Sequence, residues 1–148
     1  MTDLAFEDLT PGRALSGGSR TITDAEVAFL PALMGASNPL FHDEVTARAS
    51  AMGRRVLYGP ALLGISIALT EHLFKANARG LVGLTDVRFL APVGVGDTIT
   101  ARLTVSEVSS RPDRPGGKVV VLDEIDNQDG TTVLRFSRSL LLASRDDG

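Results

Sequence analysis

The sequence predicts a single α+β domain in which an antiparallel sheet is wrapped around one long central helix. The helix is predicted from Pro60 to about Asn77, because this segment carries large apolar residues on nearly every face, and a helix that is apolar on most sides must be covered by other structure. The cover is predicted downstream, where four segments read as strands: Leu84 to Leu90, Thr98 to Val108, Lys118 to Ile125 and Thr131 to Ala143. Their connections are short and rich in Gly, Pro and Asp, which is typical of antiparallel pairing.

The length and composition agree with one globular domain spanning residues 1–148. The chain has 148 residues, of which 43% are hydrophobic and 22% are charged, and these values are ordinary for a single folded domain. The net charge of −3 and the pI of about 5.3 argue against nucleic acid as a partner, since duplex-binding domains are usually basic. The chain contains no cysteine, which excludes disulfides, a thiol nucleophile and thiolate metal ligands.

The sequence gives no sign of a targeting or membrane segment. The opening residues, MTDLAFEDLT, have neither a basic nor an apolar region of the kind found in signal peptides. The longest apolar run, near Leu62 to Leu69, is far shorter than the ~20 residues that a membrane helix needs. With the absence of cysteine, these features predict a cytoplasmic protein that does not enter a membrane.

The elements before the central helix begin with a strand over residues 12–22. Thr23 and Glu26 then form a Thr-x-x-Glu capping box, which predicts the start of a helix. Gly35 is predicted to end that helix, and Pro31 within it is expected to cause a kink.

A loop and a short helix separate these elements from the central helix. Residues 36–42 form a loop built around Asn38-Pro39, since Asn-Pro is a turn signal. Asp43 is expected to cap a short helix from Glu44 to Ala51. Pro60 then stands where the first turn of a helix accepts proline, and this places the start of the central helix.

Four segments in order resemble the MaoC-like hydratase/dehydratase family, which includes the (R)-specific enoyl-CoA hydratases. The family carries the motifs G-D-x-N-P-(L/I)-H-x-D, G-R-(I/V)-h-H-G, V-R-F-x-x-P-V and G-D-T. The corresponding segments here read GASNPLFHD at Gly35–Asp43, RRVLYG at Arg54–Gly59, VRFLAPV at Val87–Val93 and GDT at Gly96–Thr98. The resemblance extends from about Pro11 to Leu142, which is nearly the whole chain.

This resemblance implies a hot-dog fold and a particular kind of substrate. The substrate would be an acyl group linked to CoA or to an acyl-carrier protein. At least a homodimer is implied, because hot-dog sheets usually pair across two subunits and so cover an exposed edge. No metal and no organic cofactor are implied, and the presence of two histidines and no cysteine argues against a structural zinc site.

The resemblance also implies that the usual catalytic pair is missing. Hydration of an enoyl thioester needs a base, an acid and donors that hold the enolate oxygen. In the family, the Asp and His of the loop position and activate the water, and a glycine N–H at the start of the central helix helps to hold the thioester oxygen. Here the Asp position is Ala36 and the His position is Phe41, and neither can transfer a proton. The glycine is retained as Gly59, and Asn38 and Asp43 are retained as well.

Three residues are candidates for a substitute catalytic role: His42, Tyr58 and Asn38. Each has a simpler structural interpretation. His42 is expected to face away from the pocket, because it lies beside the lost position and neighbouring loop residues point in different directions. Tyr58 can be a packing residue with a satisfied hydroxyl, and Asn38 can hold the loop through local hydrogen bonds. Asp97 is interpreted as a turn residue.

The substrate pocket is expected between the Gly35–Asp43 loop and the N-terminus of the central helix. Ser66 could line its acyl part, although serine in a buried helix often bonds its own backbone. The predicted substrate-binding residues are Gly59, Ala36, Phe41 and Ser66.

Three functional hypotheses follow. The leading one is a hydratase/dehydratase-type lyase for acyl-thioester or polyketide-type substrates, with atypical or lost activity. The second is a non-catalytic acyl-binding subunit that forms a heteromer with an intact MaoC-like subunit. The third is a repurposed cyclase or isomerase, in which an apolar pocket orients a free polyketide-type small molecule for reaction. The sequence leaves all three open.

Overall fold

Five strands form one antiparallel sheet in the computed structural model, which describes residues 3–146. The elements in chain order are β1 (Ala14–Thr21), α1 (Asp24–Leu33), α2 (Glu44–Ala49), α3 (Gly59–Ala68), β2 (Ala78–Phe89), β3 (Thr98–Ser110), β4 (Gly117–Asp126) and β5 (Thr132–Leu142). The strand order across the sheet is β1-β3-β4-β5-β2, so β1 and β2 form its edges. The predicted α+β class, with a sheet around a central helix, is confirmed.

The alternation of apolar and polar residues explains which face of the sheet is buried. In β3, Ile99, Ala101, Leu103 and Val105 are all buried, as the sequence pattern predicted. The strands β4 and β5 alternate in the same way, with every second residue buried along most of their length. Together they form the wall against which α3 packs.

The caps of the first two helices form as predicted. The Thr23 hydroxyl accepts the backbone N–H of Glu26 at 3.3 Å, and the Glu26 carboxylate accepts the backbone N–H of Thr23 at 2.9 Å. The Asp43 carboxylate accepts the N–H groups of Val45 and Thr46, each at 3.0 Å. The second helix ends at Ala49, slightly before the predicted end.

The central helix is shorter than predicted. It ends at Ala68, and 3-10 turns replace the rest of the predicted span, at Glu71–Leu73 and Lys75–Asn77. The chain tightens at this point because the Ile67 carbonyl accepts both the backbone N–H of Thr70 at 3.0 Å and its hydroxyl at 2.7 Å. Arg138 in β5 holds Thr70 there by donating to the hydroxyl at 2.9 Å. The apolar pattern continued past Ala68, but these polar contacts end the helix.

Because α3 ends early, the next strand begins earlier in the chain than the sequence predicted. Strand β2 starts at Ala78 rather than at Leu84, and it pairs with β5 as far as Phe89. Several of its residues are exposed because β2 is an edge strand. No helix within residues 3–146 is long and apolar enough to cross a membrane.

Two glycines let the first strand pass over the end of α3. A side chain on Gly17 would place its Cβ 2.8 Å from the Cβ of Ala101, and one on Gly18 would lie 3.2 Å from the carbonyl oxygen of Leu69. The register of β1 against β3 shifts between Ser16 and Ser19 at this point. Close packing therefore requires glycine here.

Candidate active site

An apolar cavity of about 360 Å³ lies at the N-terminus of α3. Its walls come from the turn that contains Phe41, from the segment before Gly59, from α3 itself and from the end of β2 with the residues that follow it. Every lining residue is apolar or glycine, and the principal ones are Phe41, Val56, Gly59, Leu62, Phe89 and Val93. This is the place where the sequence predicted the substrate pocket.

Local hydrogen bonds in the loop direct Phe41 toward this cavity. The side-chain oxygen of Asn38 accepts the backbone N–H of Leu40 at 3.0 Å. The backbone carbonyl of Asn38 accepts the backbone N–H of Phe41 at 3.1 Å. These bonds form a single 3-10 turn, Pro39–Phe41. The ring of Phe41 then meets the ring of Tyr58 edge to face, with centroids 5.1 Å apart and planes at 65°. The loop thus supplies an aromatic wall.

None of the three candidate catalytic residues lines this cavity. His42 is exposed to solvent, and its backbone N–H donates to the Pro39 carbonyl at 3.2 Å. Asn38 is exposed, and its side chain is engaged in the turn. Tyr58 is half-buried at the N-cap of α3, packed on Phe41.

Two of the four predicted substrate-binding residues, Phe41 and Gly59, line the cavity. Ala36 is half-buried in the loop, where its N–H donates to the Pro31 carbonyl at 2.8 Å. Ser66 is fully buried, and its hydroxyl donates to the Leu62 carbonyl at 2.7 Å. Ser66 therefore bonds its own helix, and it is not one of the residues that line this cavity.

Gly59 combines close packing with free backbone donors. The backbone N–H groups of Gly59 and Ala61 make no hydrogen bond to any residue between 3 and 146, as expected in the first turn of a helix. The φ angle of Gly59 is not positive, so its backbone conformation does not require glycine. The requirement is space, because a Cβ at this position would lie 3.2 Å from the ring of Phe89.

Asp97 holds two walls of the cavity together, a role that its interpretation as a turn residue missed. Its carboxylate is buried and accepts the N–H of Gly94 at 2.8 Å, the guanidinium of Arg54 at 2.5 Å and the amide of Gln128 at 3.0 Å. Burial acts to raise the pKa of Asp97, but these three hydrogen bonds and the charge of Arg54 outweigh it and lower the pKa. The carboxylate therefore stays charged at neutral pH.

Two backbone contacts also hold the segment before α3 against the β2–β3 loop. The N–H of Leu57 donates to the Val93 carbonyl at 2.7 Å, and Val56 forms a bridge with Gly94. A side chain on Gly94 would come within 2.9 Å of the Arg54 guanidinium. Three motif resemblances marked these segments in the sequence, at Arg54–Gly59, Val87–Val93 and Gly96–Thr98, but none indicated the contact between Asp97 and Arg54.

The groups at the cavity can bind an apolar molecule and polarise a carbonyl bond. Its walls suit an apolar acyl group, and the free N–H groups at the start of α3 can donate to a carbonyl oxygen, where the helix dipole favours negative charge. None of its lining side chains carries a group that can transfer a proton. Within residues 3–146, no group of three or more His, Asp or Glu side chains could hold a metal ion.

An antiparallel sheet wrapped around one central helix defines the hot-dog class of domains. A protein from Mycobacterium tuberculosis described as having a double hot-dog fold aligns with 99% of this chain and 46% of its own length, at a TM-score of 0.82 and 21% identity. The chain belongs to the family of MaoC-like domains, whose model matches residues 8–127.

Two relatives are named as hydratases. The chain is 28% identical over 142 residues to mesaconyl-CoA hydratase of Cereibacter sphaeroides, covering 95% of this chain and 41% of that protein. It is 30% identical over 102 residues to the (R)-specific enoyl-CoA hydratase of Rhodospirillum rubrum, covering 68% of this chain and 69% of that protein. The chain spans less than half of the mesaconyl-CoA hydratase, and 30% of the Klebsiella aerogenes protein MaoC.

Proposed function

We propose that this chain is a hydratase/dehydratase-family protein that binds acyl thioesters but has lost most of the family's hydration activity. The acyl group lies in the apolar cavity, and the thioester oxygen accepts the N–H groups of Gly59 and Ala61. The observation that carries this proposal is that Phe41, which the motif resemblance aligns with the family's histidine, lines an entirely apolar cavity. The names of the two hydratase relatives, both of which refer to acyl-CoA compounds, support acyl-CoA as the substrate class.

The residues at the site account for binding better than for proton transfer. Backbone donors at the start of α3 would stabilise the negative charge that develops on the thioester oxygen. Addition of water also requires one group that takes a proton from the water and one that protonates the α-carbon. Ala36 and Phe41 supply neither, and loss of one such group usually costs roughly 10²–10⁴-fold in rate.

A second candidate function is that of an acyl-binding subunit beside an intact MaoC-like chain. The edge strand β2 favours this candidate, because Leu81 and Val82 are 50% and 57% exposed on it. An unpaired edge strand presents free N–H and C=O groups with which a strand of another chain can pair. We propose that β2 pairs with a second MaoC-like chain, which is either another copy or a subunit that carries the missing Asp and His.

The test measures binding and turnover of the purified chain separately. Binding of crotonyl-CoA and trans-2-octenoyl-CoA is measured by calorimetry, and hydration is followed as loss of the enoyl absorbance. We expect both thioesters to bind with little or no turnover, and we expect His42→Ala and Tyr58→Phe to change neither result. Robust turnover that falls in either variant would instead mean that these residues have replaced the lost pair.

A further inference from the structure

A second cavity, of about 480 Å³, lies at the other end of α3. Its walls come from the 3-10 turns after the helix, from the first residues of β2 and from β5. It shares no lining residue with the cavity at Gly59, and α3, with ten residues, separates the two by about 15 Å. Its volume falls within the ~300–1,000 Å³ that is usual for small-molecule sites.

Most of this cavity is apolar, and one buried cation reaches it. The apolar part is formed by Ile67, Phe74, Leu81 and Leu140. The cation is Arg138, whose side chain is only 2% exposed although the residue lines the cavity. An apolar chamber with a single buried guanidinium suits a ligand that has an apolar body and one anionic group.

The hydrogen bonds of Arg138 leave one side of its guanidinium free. Its Nε and Nη2 donate to the two carboxylate oxygens of Asp123 at 3.1 and 2.9 Å, and Nη2 also donates to the Thr70 hydroxyl at 2.9 Å. Its Nη1 makes no hydrogen bond to any residue between 3 and 146. A guanidinium has five N–H donors, so the two on Nη1 are left for a ligand in the cavity that Arg138 lines.

The charged residues that line this cavity are of both signs. Lys75 and Arg79 line it together with Glu71, and His72 is also part of the lining. Arg79 is already engaged, since it donates to the Ala76 carbonyl at 2.7 Å. The Glu71 charge acts on Arg138 at a distance, but no hydrogen bond joins the two. The unused donors of Arg138 are therefore available to a ligand.

We propose that this cavity binds the carboxylate of a small molecule with an aliphatic body, and that the carboxylate accepts hydrogen bonds from Nη1 of Arg138. The carboxylate can belong to a free aliphatic acid or to the far end of an acyl thioester with a second acid group. The inference goes beyond the proposed function and does not depend on it, because binding here needs no turnover and no contact with Gly59.

Hexanoate and 1-hexanol are matched probes, because they share their length but differ in the anionic group. Their affinities are measured by NMR titration, following the backbone amides of Gly80 and Leu140 at the cavity. Hexanoate should bind at least about tenfold more tightly, as expected when a charged hydrogen bond is added. Equal affinity of the two probes would overturn the proposal.

Two glycines of β2 provide a matched pair of variants. Gly80 lines the cavity and Gly83 does not, and a Cβ meets no atom within 4 Å at either position. Gly80→Phe should fill the cavity and abolish hexanoate binding, whereas Gly83→Phe should leave the affinity unchanged. Retained binding in Gly80→Phe, or equal loss in both variants, would contradict the assignment of the site.

The role of the cation is tested without leaving a buried charge unpaired. The double variant Arg138→Met with Asp123→Leu should bind hexanoate no better than 1-hexanol, since both charges are removed together.

The source of the carboxylate is tested by competition. If dodecanedioyl-CoA, whose chain is long enough to span the two cavities, displaces hexanoate and dodecanoyl-CoA does not, the site holds the far end of a thioester. If neither displaces it, the site holds a free acid. A double variant that still prefers hexanoate would exclude Arg138.

Discussion

The ring of Phe89 lies over Gly59, and both residues line the cavity at the N-terminus of α3. A Cβ added to Gly59 would lie 3.2 and 3.3 Å from two atoms of that ring, which is closer than such contacts normally are. Phe89 is 51% exposed and stands at the end of an edge strand. A side chain larger than that of glycine at residue 59 would therefore require the Phe89 ring to move.

Gly59→Ala should weaken acyl-thioester binding while leaving the fold intact. The added methyl group pushes the Phe89 ring aside and crowds the N–H groups that would hold the thioester oxygen. We expect the Kd for octenoyl-CoA to rise by about tenfold, which corresponds to ~1.4 kcal/mol, measured by calorimetry. Gly64→Ala is the control, since it lies on the same helix with no atom within 4 Å of its Cβ. An unchanged Kd in Gly59→Ala would remove this glycine from the binding site.

Asp97→Ala should destabilise the protein and loosen the cavity walls. The change removes acceptors from the Gly94 N–H and from Arg54, and loss of a buried, charged hydrogen-bond partner typically costs about 2–3 kcal/mol. The free energy of unfolding is measured by urea denaturation. Asp129→Ala, at an exposed position in the Asn127–Gly130 turn, is the control and should change it by less than ~0.5 kcal/mol. If both variants behave alike, Asp97 is only a turn residue.

Arg138→Met alone should be far more damaging than the paired replacement. The single change leaves the fully buried Asp123 carboxylate without its cation, which typically costs about 3–5 kcal/mol. The double variant Arg138→Met with Asp123→Leu removes both charges and should recover most of that loss. Thermal and urea denaturation of the three proteins provide the comparison. A double variant as unstable as the single one would mean that the shape of the pair matters more than its charges.

The stability contributed by Asp123 should depend on pH in a defined direction. Burial raises the pKa of Asp123 from 3.8 to about 6, against the opposing effect of Arg138. The native state therefore holds this proton at pH values where the unfolded chain has released it. Its contribution to the free energy of unfolding should fall as the pH rises from about 4 to about 6.

Carboxyl-carbon NMR titration gives the pKa of Asp123 directly, and the double variant, which lacks the group, gives the reference slope of stability against pH. The carboxyls of Glu26 and Asp126, by contrast, have lowered pKa values because they accept hydrogen bonds and lie beside arginines, so they titrate below this window. A titration of Asp123 below pH 4 would contradict the effect assigned to burial.

The fold was largely predictable because its determinants are local. The Thr23 capping box, the Asp43 cap and the alternation in β3 each depend on residues close in sequence. The length of the central helix was not predictable in this way. It ends because Thr70 bonds to Arg138, a residue far along the chain, and apolar periodicity carries no information about such a contact.

The location of the cavity was predictable from the sequence, but the contacts that hold its walls in place were not. The motif resemblance indicated the loop and Gly59, and the structure has a cavity between them. The contacts of Asp97 with Arg54 and of Phe89 with Gly59 join distant segments, so no local pattern indicates them. The substitute catalytic roles of His42, Tyr58 and Asn38 stay predictions, as does the hypothesis of cyclisation in an apolar pocket.

The central claim is that Ala36 and Phe41 leave a binding site without its proton-transfer groups. The most direct measurement is the rate of crotonyl-CoA hydration by the wild type and by Ala36→Asp with Phe41→His, with each single change as a control. We predict that the double variant exceeds the wild type by roughly 10²-fold or more, and that neither single change does so. A wild type that already hydrates crotonyl-CoA rapidly, and a double variant that is no faster, would contradict the account.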